Sequence, residues 1–270
     1  MPKKYPAACL LIVSLCLVSF GFAQEEPAKV TAEQQTAHSF EAVNDDGSTQ
    51  KLGYLLFLPK QYLEQSKQLS AQKTEREETE KQTNEAPKWP LMVFLHGAGE
   101  RGEDLELVKK WGPPKLVANK PDFPFVLLSP QCPKGIYWNI SHLNQLIDQT
   151  IADNRIDSSR IYVVGLSMGG FGTWSLVAAH PDKFAAAIPI CGGGDVASSK
   201  ALTSTPIWAF HGDQDSVVPV ERTTKMVEAV EKAGGQKIKS TIYPGVNHNS
   251  WTQTFANPQI YDWLLSHRRE

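Results

Sequence analysis

Short, nearly continuous runs of apolar residues recur along the chain from residue 39 onward. Runs of this kind are typical of strands that are buried on both faces of a parallel sheet. The predicted strands are residues 39–43, 52–58, 91–95, 125–128, 161–164, 186–190, 207–210 and 238–243. The polar turn at 44–47 (NDDG) joins the first two runs closely, so these two strands are predicted to form an antiparallel pair.

Helical spacing of apolar residues marks several of the stretches between the strands. The predicted helices are residues 143–151, 171–179, 220–230 and 259–266. Strands that alternate with helices form right-handed βαβ units, so we predict an α/β fold with a mostly parallel central sheet flanked by helices. In such sheets, ligands bind at the carboxyl ends of the strands.

The first 23 residues have the three-part layout of a secretory signal peptide. A short basic start precedes an apolar run at 7–20, and small residues then form a cleavage site after Ala23. The run is shorter than the roughly 20 residues of a membrane span, so no stable membrane anchor is expected. An uncleaved anchor or a lipid-modified Cys16 are the alternatives, although Leu15 stands where lipidation requires a small residue. We therefore predict a secreted or periplasmic protein.

A charged segment separates the second predicted strand from the third. Residues 66–88 carry five acidic and five basic side chains and almost no large apolar residue. Such a segment buries too little surface to offset the entropy of ordering its backbone, so an exposed, flexible loop or a frayed helix is expected. A partner-binding role is the alternative. The whole of 24–270 is then predicted to form a single domain that carries this insert.

Charge and cysteine content exclude several classes of protein. With 27 basic and 29 acidic residues in a chain of 270, no positive field favours nucleic acid. The four cysteines are too few for a disulfide framework and do not form a CxxC zinc motif. Cys132 and Cys191 lie outside the signal peptide and could pair in an exported protein, but their spacing does not show that they approach each other. No cofactor or metal is predicted.

A serine flanked by glycines follows the predicted strand at 161–164. The stretch GLSMG at 165–169 matches the pattern G-x-S-x-G and leads into the predicted helix at 171–179. The glycines allow a sharp turn, and the helix N-terminus behind the serine favours negative charge. The pattern alone is weak, but its strand–turn–helix context predicts that Ser167 is a nucleophile.

A serine hydroxyl needs a base, and in this arrangement an acid and a histidine follow it in that order. Asp213 and Asp215 come directly after the strand at 207–210, and His248 comes directly after the strand at 238–243. These turns lie at the same edge of the sheet as Ser167. Either aspartate could serve the triad, and the other would cap its turn.

The other six histidines have structural roles in this interpretation. His38 and His267 lie near the ends of the predicted domain, His180 closes the helix after the serine, His142 lies near a helix start, and His96 and His211 brace the loops after their strands. His248 is left as the general base.

The oxyanion formed during acyl transfer needs two backbone donors. The amide of Met168, next after the nucleophile, supplies one. The loop HGAGERG at 96–102 follows the strand at 91–95, and its glycines allow close approach to a substrate. The amide of Ala98 is the predicted second donor.

These motifs together resemble the α/β-hydrolase superfamily. The stretches HGAGERG, SPQCPKGIYW, GLSMGGFGTW, HPDKFAAAIPICGGGD and HGDQDSVVPV, with the late His248, are similar to compact bacterial esterases and peptidase-like proteins of the phospholipase/carboxylesterase, polyhydroxybutyrate-depolymerase and feruloyl-esterase group. The resemblance runs from about Tyr54 to the C-terminus, interrupted by 66–88. It implies that Asp215, the second acid of HGxxDxxVP, serves the triad. It also implies that Ala98, the residue after HG, donates to the oxyanion.

The substrate is less well defined by the sequence. Trp111, Trp138 and Trp251 lie in predicted loops and are candidates for a substrate pocket, although they could equally pack loops onto the core. We predict a serine esterase that acts on a small-molecule or oligosaccharide ester, including carbohydrate-linked or hydroxycinnamoyl esters. A serine peptidase of the same fold is the alternative, and a catalytically silent binding module is a third.

Overall fold

Eight strands form one sheet in the computed structural model, which describes Met1, residues 34–75 and residues 87–270. The strands are β1 (Gln35–Val43), β2 (Thr49–Phe57), β3 (Trp89–Leu95), β4 (Val126–Pro130), β5 (Ile156–Leu166), β6 (Ala186–Ile190), β7 (Ile207–Gly212) and β8 (Ile238–Tyr243). Each of the eight predicted strands is present. Apart from Met1, the predicted signal peptide (1–23) lies outside the described residues.

The order of the strands in the sheet is β1-β2-β4-β3-β5-β6-β7-β8. A turn that begins with the Asn44 amide donating to the Ser48 carbonyl (2.8 Å) joins β1 to β2 as an antiparallel pair. β2 also pairs antiparallel with β4, and the remaining neighbours run parallel. The predicted α/β class, with an antiparallel start and a mostly parallel centre, is confirmed.

The helices cover both faces of this sheet. They are α1 (Lys60–Glu75), α2 (Gly112–Leu116), α3 (Ile140–Asp153), α4 (Met168–Ala179), α5 (Glu221–Lys232), α6 (Trp251–Ala256) and α7 (Gln259–Leu265). α4 begins three residues earlier than predicted, directly after Ser167. The short helices α2 and α6 were not predicted, because five or six residues are too few to show a helical period.

Alternating residues of the central strands divide the core into two clusters. Along β3, Leu91 and Val93 point to the face covered by α3, α4 and α5, whereas Met92 and Phe94 point to the face covered by α6 and α7. All four are fully buried. Apolar side chains on both faces explain why the strands appear as unbroken apolar runs in the sequence.

The first part of the charged segment is helical. α1 extends through Glu75, so residues 66–75 continue a helix that begins before the predicted insert. Arg155 anchors this helix: its guanidinium donates to the Ser66 hydroxyl and to the Tyr62 carbonyl, each at 2.9 Å. Residues 66–75 thus form a helix, which is one of the two forms expected for this segment. Residues 76–86 lie outside the described part of the chain.

Candidate active site

Ser167 alone forms the turn between β5, which ends at Leu166, and α4, which begins at Met168. Its backbone has φ 52° and ψ −116°, a conformation that a residue with a side chain rarely adopts. The Ser167 amide donates to the Ile190 carbonyl at 2.9 Å, which ties the turn to the end of β6. A strained backbone that is held in place in this way is typical of a functional site.

Glycines permit this turn because no Cβ would fit beside it. A Cβ on Gly165 would lie 2.2 Å from the Gly169 carbonyl oxygen, and one on Gly169 would lie 1.9 Å from the Leu95 carbonyl oxygen. Gly170, which the motif does not include, is equally constrained, at 2.4 Å from the Ile190 carbonyl oxygen. The start of α4 thus packs directly on the backbone of its neighbouring strands.

Three side chains from three different loops form a chain of hydrogen bonds. His248 Nε2 lies 2.9 Å from Ser167 Oγ, and His248 Nδ1 lies 2.7 Å from Asp215 Oδ2. The ring lies between a hydroxyl and a carboxylate, so Nδ1–H donates to Asp215 and Nε2 is left to accept from Ser167. The structure therefore brings together the three residues that the sequence analysis predicts as nucleophile, acid and base.

The Asp215 carboxylate is fully buried and richly supplied with donors. Oδ1 accepts from the amides of Val217 (2.9 Å) and Val218 (2.8 Å), while His211 Nε2 lies 3.1 Å from Oδ2. Burial raises the pKa of Asp215, but the hydrogen bonds from His248 and from the two amides outweigh burial and leave the pKa below its ordinary value. Asp215 is therefore ionised at neutral pH.

Asp213, the competing acid, has a different position. Its Oδ1 accepts from the Gly245 amide at 2.7 Å and so braces the turn after β8. Asn247 makes a second link between the two loops, because its side-chain oxygen accepts from the amides of His248 (2.6 Å) and Ser216 (3.1 Å). The sequence analysis missed Asn247, since its role depends on a contact across 31 positions of sequence.

The two amides predicted to bind the oxyanion both lie at the start of a helical turn. Met168 is the first residue of α4, and Ala98 is the first residue of a 3₁₀ turn, Ala98–Glu100. The first amides of a helical turn have no partner inside it and are free to bind an anion. A Cβ on Gly97 would lie only 3.7 Å from Ser167 Cβ, so the loop that carries Ala98 lies against the serine.

Glu100 is a buried acid in this same loop, with 5% of its surface exposed. Burial raises the pKa of its carboxyl, although Lys110, the Gly97 amide and the Trp111 indole act in the opposite direction. Its carboxylate thus connects the loop at Ala98 to Trp111. The sequence analysis missed Glu100, because an acid in a glycine-rich loop carries no sign of burial.

The three candidate tryptophans separate into two groups. Trp111 and Trp251 contact each other edge to face, with ring centroids 6.0 Å apart, and both line a cavity of about 350 Å³. Trp251 also packs edge to face on His248, with centroids 5.3 Å apart. Trp138 packs instead on His96 (4.7 Å between centroids) and does not line this cavity.

His96 and His211 brace loops, as predicted. His96 Nε2 accepts from the Cys132 amide at 2.9 Å, and burial lowers the pKa of His96 to about 4, which keeps the ring neutral. His211 Nδ1 lies 2.8 Å from the Thr223 hydroxyl. The rings of both histidines are therefore held in place by contacts within the protein.

Cys132 and Cys191 are both buried and unpaired. Burial raises the pKa of Cys132 to about 11 and that of Cys191 to about 12. Cys191 Sγ lies within 4.8 Å of ligand atoms of Asp215 and His248, which makes these three a possible metal-binding group among the described residues. A thiol must lose its proton to bind a metal. The raised pKa of Cys191 opposes this, and the other two side chains already bind each other.

Comparison with known proteins places the chain in a family. Residues 123–263, just over half of the 270 residues, match the phospholipase/carboxylesterase family, and the chain belongs to it. The chain is 31% identical over 191 residues to the bifunctional acetylxylan esterase/xylanase XynS20E of Neocallimastix patriciarum. That alignment covers 67% of this chain and 27% of the relative, so the chain spans only about a quarter of that protein.

Solved structures show the same relationship. The crystal structure of a thermostable esterase is 33% identical, with a TM-score of 0.67, over 88% of this chain and 64% of that one. The feruloyl esterase module of Clostridium thermocellum with bound sinapinate has a TM-score of 0.58 at 15% identity, over 88% of this chain and 92% of that one. The fold is therefore the α/β-hydrolase fold, in a chain that belongs to the phospholipase/carboxylesterase family. Within residues 34–75 and 87–270, no helix combines the length and hydrophobicity of a membrane span.

Proposed function

We propose that the protein is an exported serine esterase that cleaves carboxylic esters through an acyl-enzyme intermediate. The hydrogen-bond chain from Ser167 through His248 to Asp215 carries this proposal. An imidazole nitrogen 2.9 Å from a hydroxyl, on a ring held by a buried carboxylate, is the arrangement that activates a serine.

The reaction has two acyl-transfer steps. His248 Nε2 takes the proton of Ser167 Oγ as that oxygen bonds to the ester carbonyl carbon, and the amides of Ala98 and Met168 stabilise the resulting oxyanion. When the carbonyl re-forms, the carbon–oxygen bond to the alcohol breaks, and the alcohol leaves with the proton from His248. Water then attacks the acyl-enzyme by the same route and releases the acid and the free serine.

Carbohydrate-linked or hydroxycinnamoyl esters are the proposed substrates. Trp251 packs on the His248 ring and, with Trp111, lines a cavity whose aromatic surface suits a sugar or phenolic ring. Similarity to an acetylxylan esterase and a fold shared with a feruloyl esterase support the same classes.

Replacing the proposed nucleophile tests the mechanism. Ser167→Ala should lower kcat for short-chain nitrophenyl esters by about 10⁶-fold, because the acyl-enzyme can no longer form. Ser141→Ala, an exposed serine on α3, is the matched control and should turn over normally. Unchanged ester hydrolysis by Ser167→Ala would show that the mechanism is wrong.

Aminoacyl amides test the alternative of a peptidase. Esters and amides with the same acyl group should be compared on the same preparation, after correction for their uncatalysed rates. We expect a clear preference for the esters. A higher kcat/KM for the amides would favour the peptidase instead.

Export needs its own measurement. Expression of the full chain should yield an extracytoplasmic protein whose N-terminus, read by mass spectrometry, is Gln24. A protein that keeps residues 1–23 would contradict cleavage after Ala23, and the esterase assignment would be unaffected.

A further inference from the structure

Arg101 connects the loop that carries Ala98 to the loop that follows β4. Its Nε–H donates to the Ala98 carbonyl at 2.9 Å, and its Nη1–H donates to the Ile136 carbonyl at 3.1 Å. No acid within residues 34–75 and 87–270 forms an ion pair with Arg101, so its guanidinium binds two carbonyls and no carboxylate there. The planar fork of a guanidinium, with its fixed donors, suits a contact of this two-point kind.

Further hydrogen bonds join the same two loops. The Cys132 amide donates to His96 Nε2 at 2.9 Å, and the Gly102 amide donates to the Cys132 carbonyl at 3.0 Å. The Gln131 side chain donates to the Glu100 carbonyl at 2.8 Å. These bonds hold the loop before and after the predicted oxyanion donor, whereas the bond from the arginine is made to the residue that carries this donor.

Two peptide units flank the Cα of Ala98, and each is held by a separate donor. The unit before it contains the Ala98 N–H and the Gly97 carbonyl, which accepts from His96 Nδ1 at 2.6 Å. Because this peptide is trans, its N–H points away from the bound carbonyl. The unit after it contains the Ala98 carbonyl, which Arg101 binds. Holding both units fixes the two backbone dihedral angles of Ala98, and with them the direction of its N–H.

Resting on the proposed esterase function, we propose that Arg101 is a positioning residue of the oxyanion site. By binding the carbonyls of Ala98 and Ile136 together, it fixes the Ala98 amide in the direction needed for the oxyanion that forms when Ser167 attacks. In this role Arg101 acts through Ala98 and takes no part in the bond changes.

A displaced amide affects the transition state more than it affects the bound ester. The carbonyl oxygen of the ester gains its negative charge only as the serine oxygen bonds to the carbon, so the donor contributes mainly after binding. Loss of a donor outright costs about 10²–10³-fold in kcat. A donor that is retained but displaced should cost a part of this, with little change in KM.

Arg101→Gln, which removes the two-point contact, is the main test. We expect kcat for nitrophenyl acetate to fall at least about tenfold, while KM changes by less than about twofold. A trifluoromethyl ketone gives the second measurement: Ser167 Oγ adds to its carbonyl carbon, His248 takes the proton, and the former carbonyl oxygen becomes an oxyanion. Its Ki should rise by the factor by which kcat falls. Since Ki does not depend on the amount of folded protein, a folding defect cannot cause this rise.

Two matched variants separate the two-point contact from charge and from general surface effects. Arg101→Lys keeps the positive charge, but its single nitrogen lacks the fork, so kcat should stay about threefold or more below the wild type. Arg268→Gln is the control. This exposed arginine binds Asp157 and Ser159, each at 3.3 Å, near the start of β5 and so at the other end of that strand from Ser167. It should keep the wild-type kcat, KM and Ki.

Two results would overturn this role while leaving the esterase intact. One is an unchanged Ki for the ketone in Arg101→Gln. The other is an Arg101→Lys variant that equals the wild type in kcat and Ki, which would show that charge alone is needed. If Arg101→Gln yields no folded protein, Arg101→Lys decides by the same two measurements. A wild-type protein that hydrolyses no nitrophenyl ester and is not inhibited by the ketone would mean instead that the proposed function is wrong.

Discussion

Two loops at the carboxyl edge of the sheet each hold a buried carboxylate, and the pKa values of these two carboxylates shift in opposite directions. After β7, Asp215 accepts two backbone amides and lies against two histidine rings, so its pKa falls although burial alone would raise it. After β3, Glu100 also has donors and a lysine that lower its pKa, but burial outweighs them and its pKa rises.

The difference shows that the balance between burial and the surrounding donors and charges, and not burial alone, determines the direction in which the pKa of a buried acid shifts. Asp215 is held as an anion beside His248 Nδ1. Glu100 is held less tightly as an anion and serves as an acceptor that positions Gly97 and Trp111. The loop after β7 thus stabilises a negative charge, whereas the carboxylate in the loop after β3 fixes the positions of its neighbours.

Of the effects that distinguish these two loops, the largest is expected at the two aspartates of the loop after β7. Asp215→Asn keeps the shape of the side chain but removes its charge and disturbs the orientation of the His248 ring. We expect kcat for ester hydrolysis to fall by about 10⁴-fold. Asp213→Asn, which loses only a brace to Gly245, should stay within a few-fold of the wild type. A similar loss in both variants, measured with nitrophenyl acetate, would contradict the assignment of Asp215.

A second substitution tests the close packing between the turn at Ser167 and the loop that contains Glu100. A Cβ in Gly169→Ala would lie 1.9 Å from the Leu95 carbonyl oxygen and 2.8 Å from that of His96, so the backbone at the start of the loop must move. Overpacking of this kind costs about 3 kcal/mol, measurable by urea unfolding. Gly99→Ala, with nothing within 4 Å of its Cβ, is the matched control and should unfold like the wild type. Equal free energies of unfolding for the two variants would show that the backbone around Leu95 accommodates the added Cβ at little cost.

Much of this arrangement can be predicted from the sequence because it is local. The strands at 91–95, 161–164 and 186–190 are buried on both faces, so their apolar runs are unbroken, and G-x-S-x-G lies where a strand meets a helix. The chain order of Ser167, Asp215 and His248 predicts a meeting point because parallel strands end at one edge.

The remainder depends on contacts between distant segments. Nothing near Glu100 shows that it is buried, and nothing near Asn247 shows that it reaches Ser216. The position of β4 between β2 and β3 is likewise a property of the sheet and not of any one strand. Trp138 illustrates the same limit, since a loop tryptophan can line a cavity or pack on a neighbour such as His96, and only the fold decides.

The third prediction concerns Glu100 as a positioning residue. Glu100→Ala removes the acceptor for the Gly97 amide and the Trp111 indole, so the amide of Ala98 loses its fixed place beside Ser167. A displacement of about 1 Å in such a group costs about 10²-fold in kcat, with less effect on KM. Glu100→Gln keeps an oxygen acceptor and should stay within about tenfold of the wild type. If both variants retain full kcat while remaining folded, Glu100 is a packing residue only.

The smallest expected effect is the influence of the two acids on the free energy of unfolding as the pH changes. The folded-state pKa of Asp215 lies below its unfolded value, so its contribution is present above about pH 3.8 and is lost as the pH falls through the folded value. The folded-state pKa of Glu100 lies above its unfolded value, so its contribution is present below about pH 4.5 and is lost as the pH rises through the folded value. Glu100→Gln should therefore gain stability relative to the wild type between pH 4 and pH 7, by about 1 kcal/mol, the usual size of a single-residue effect. Urea unfolding across this range measures the gain, and Glu103→Gln, an exposed acid of the same loop, should show none. If the free energy of unfolding changes with pH in the same way for the wild type and for Glu100→Gln, then the pKa of Glu100 is not raised in the folded state.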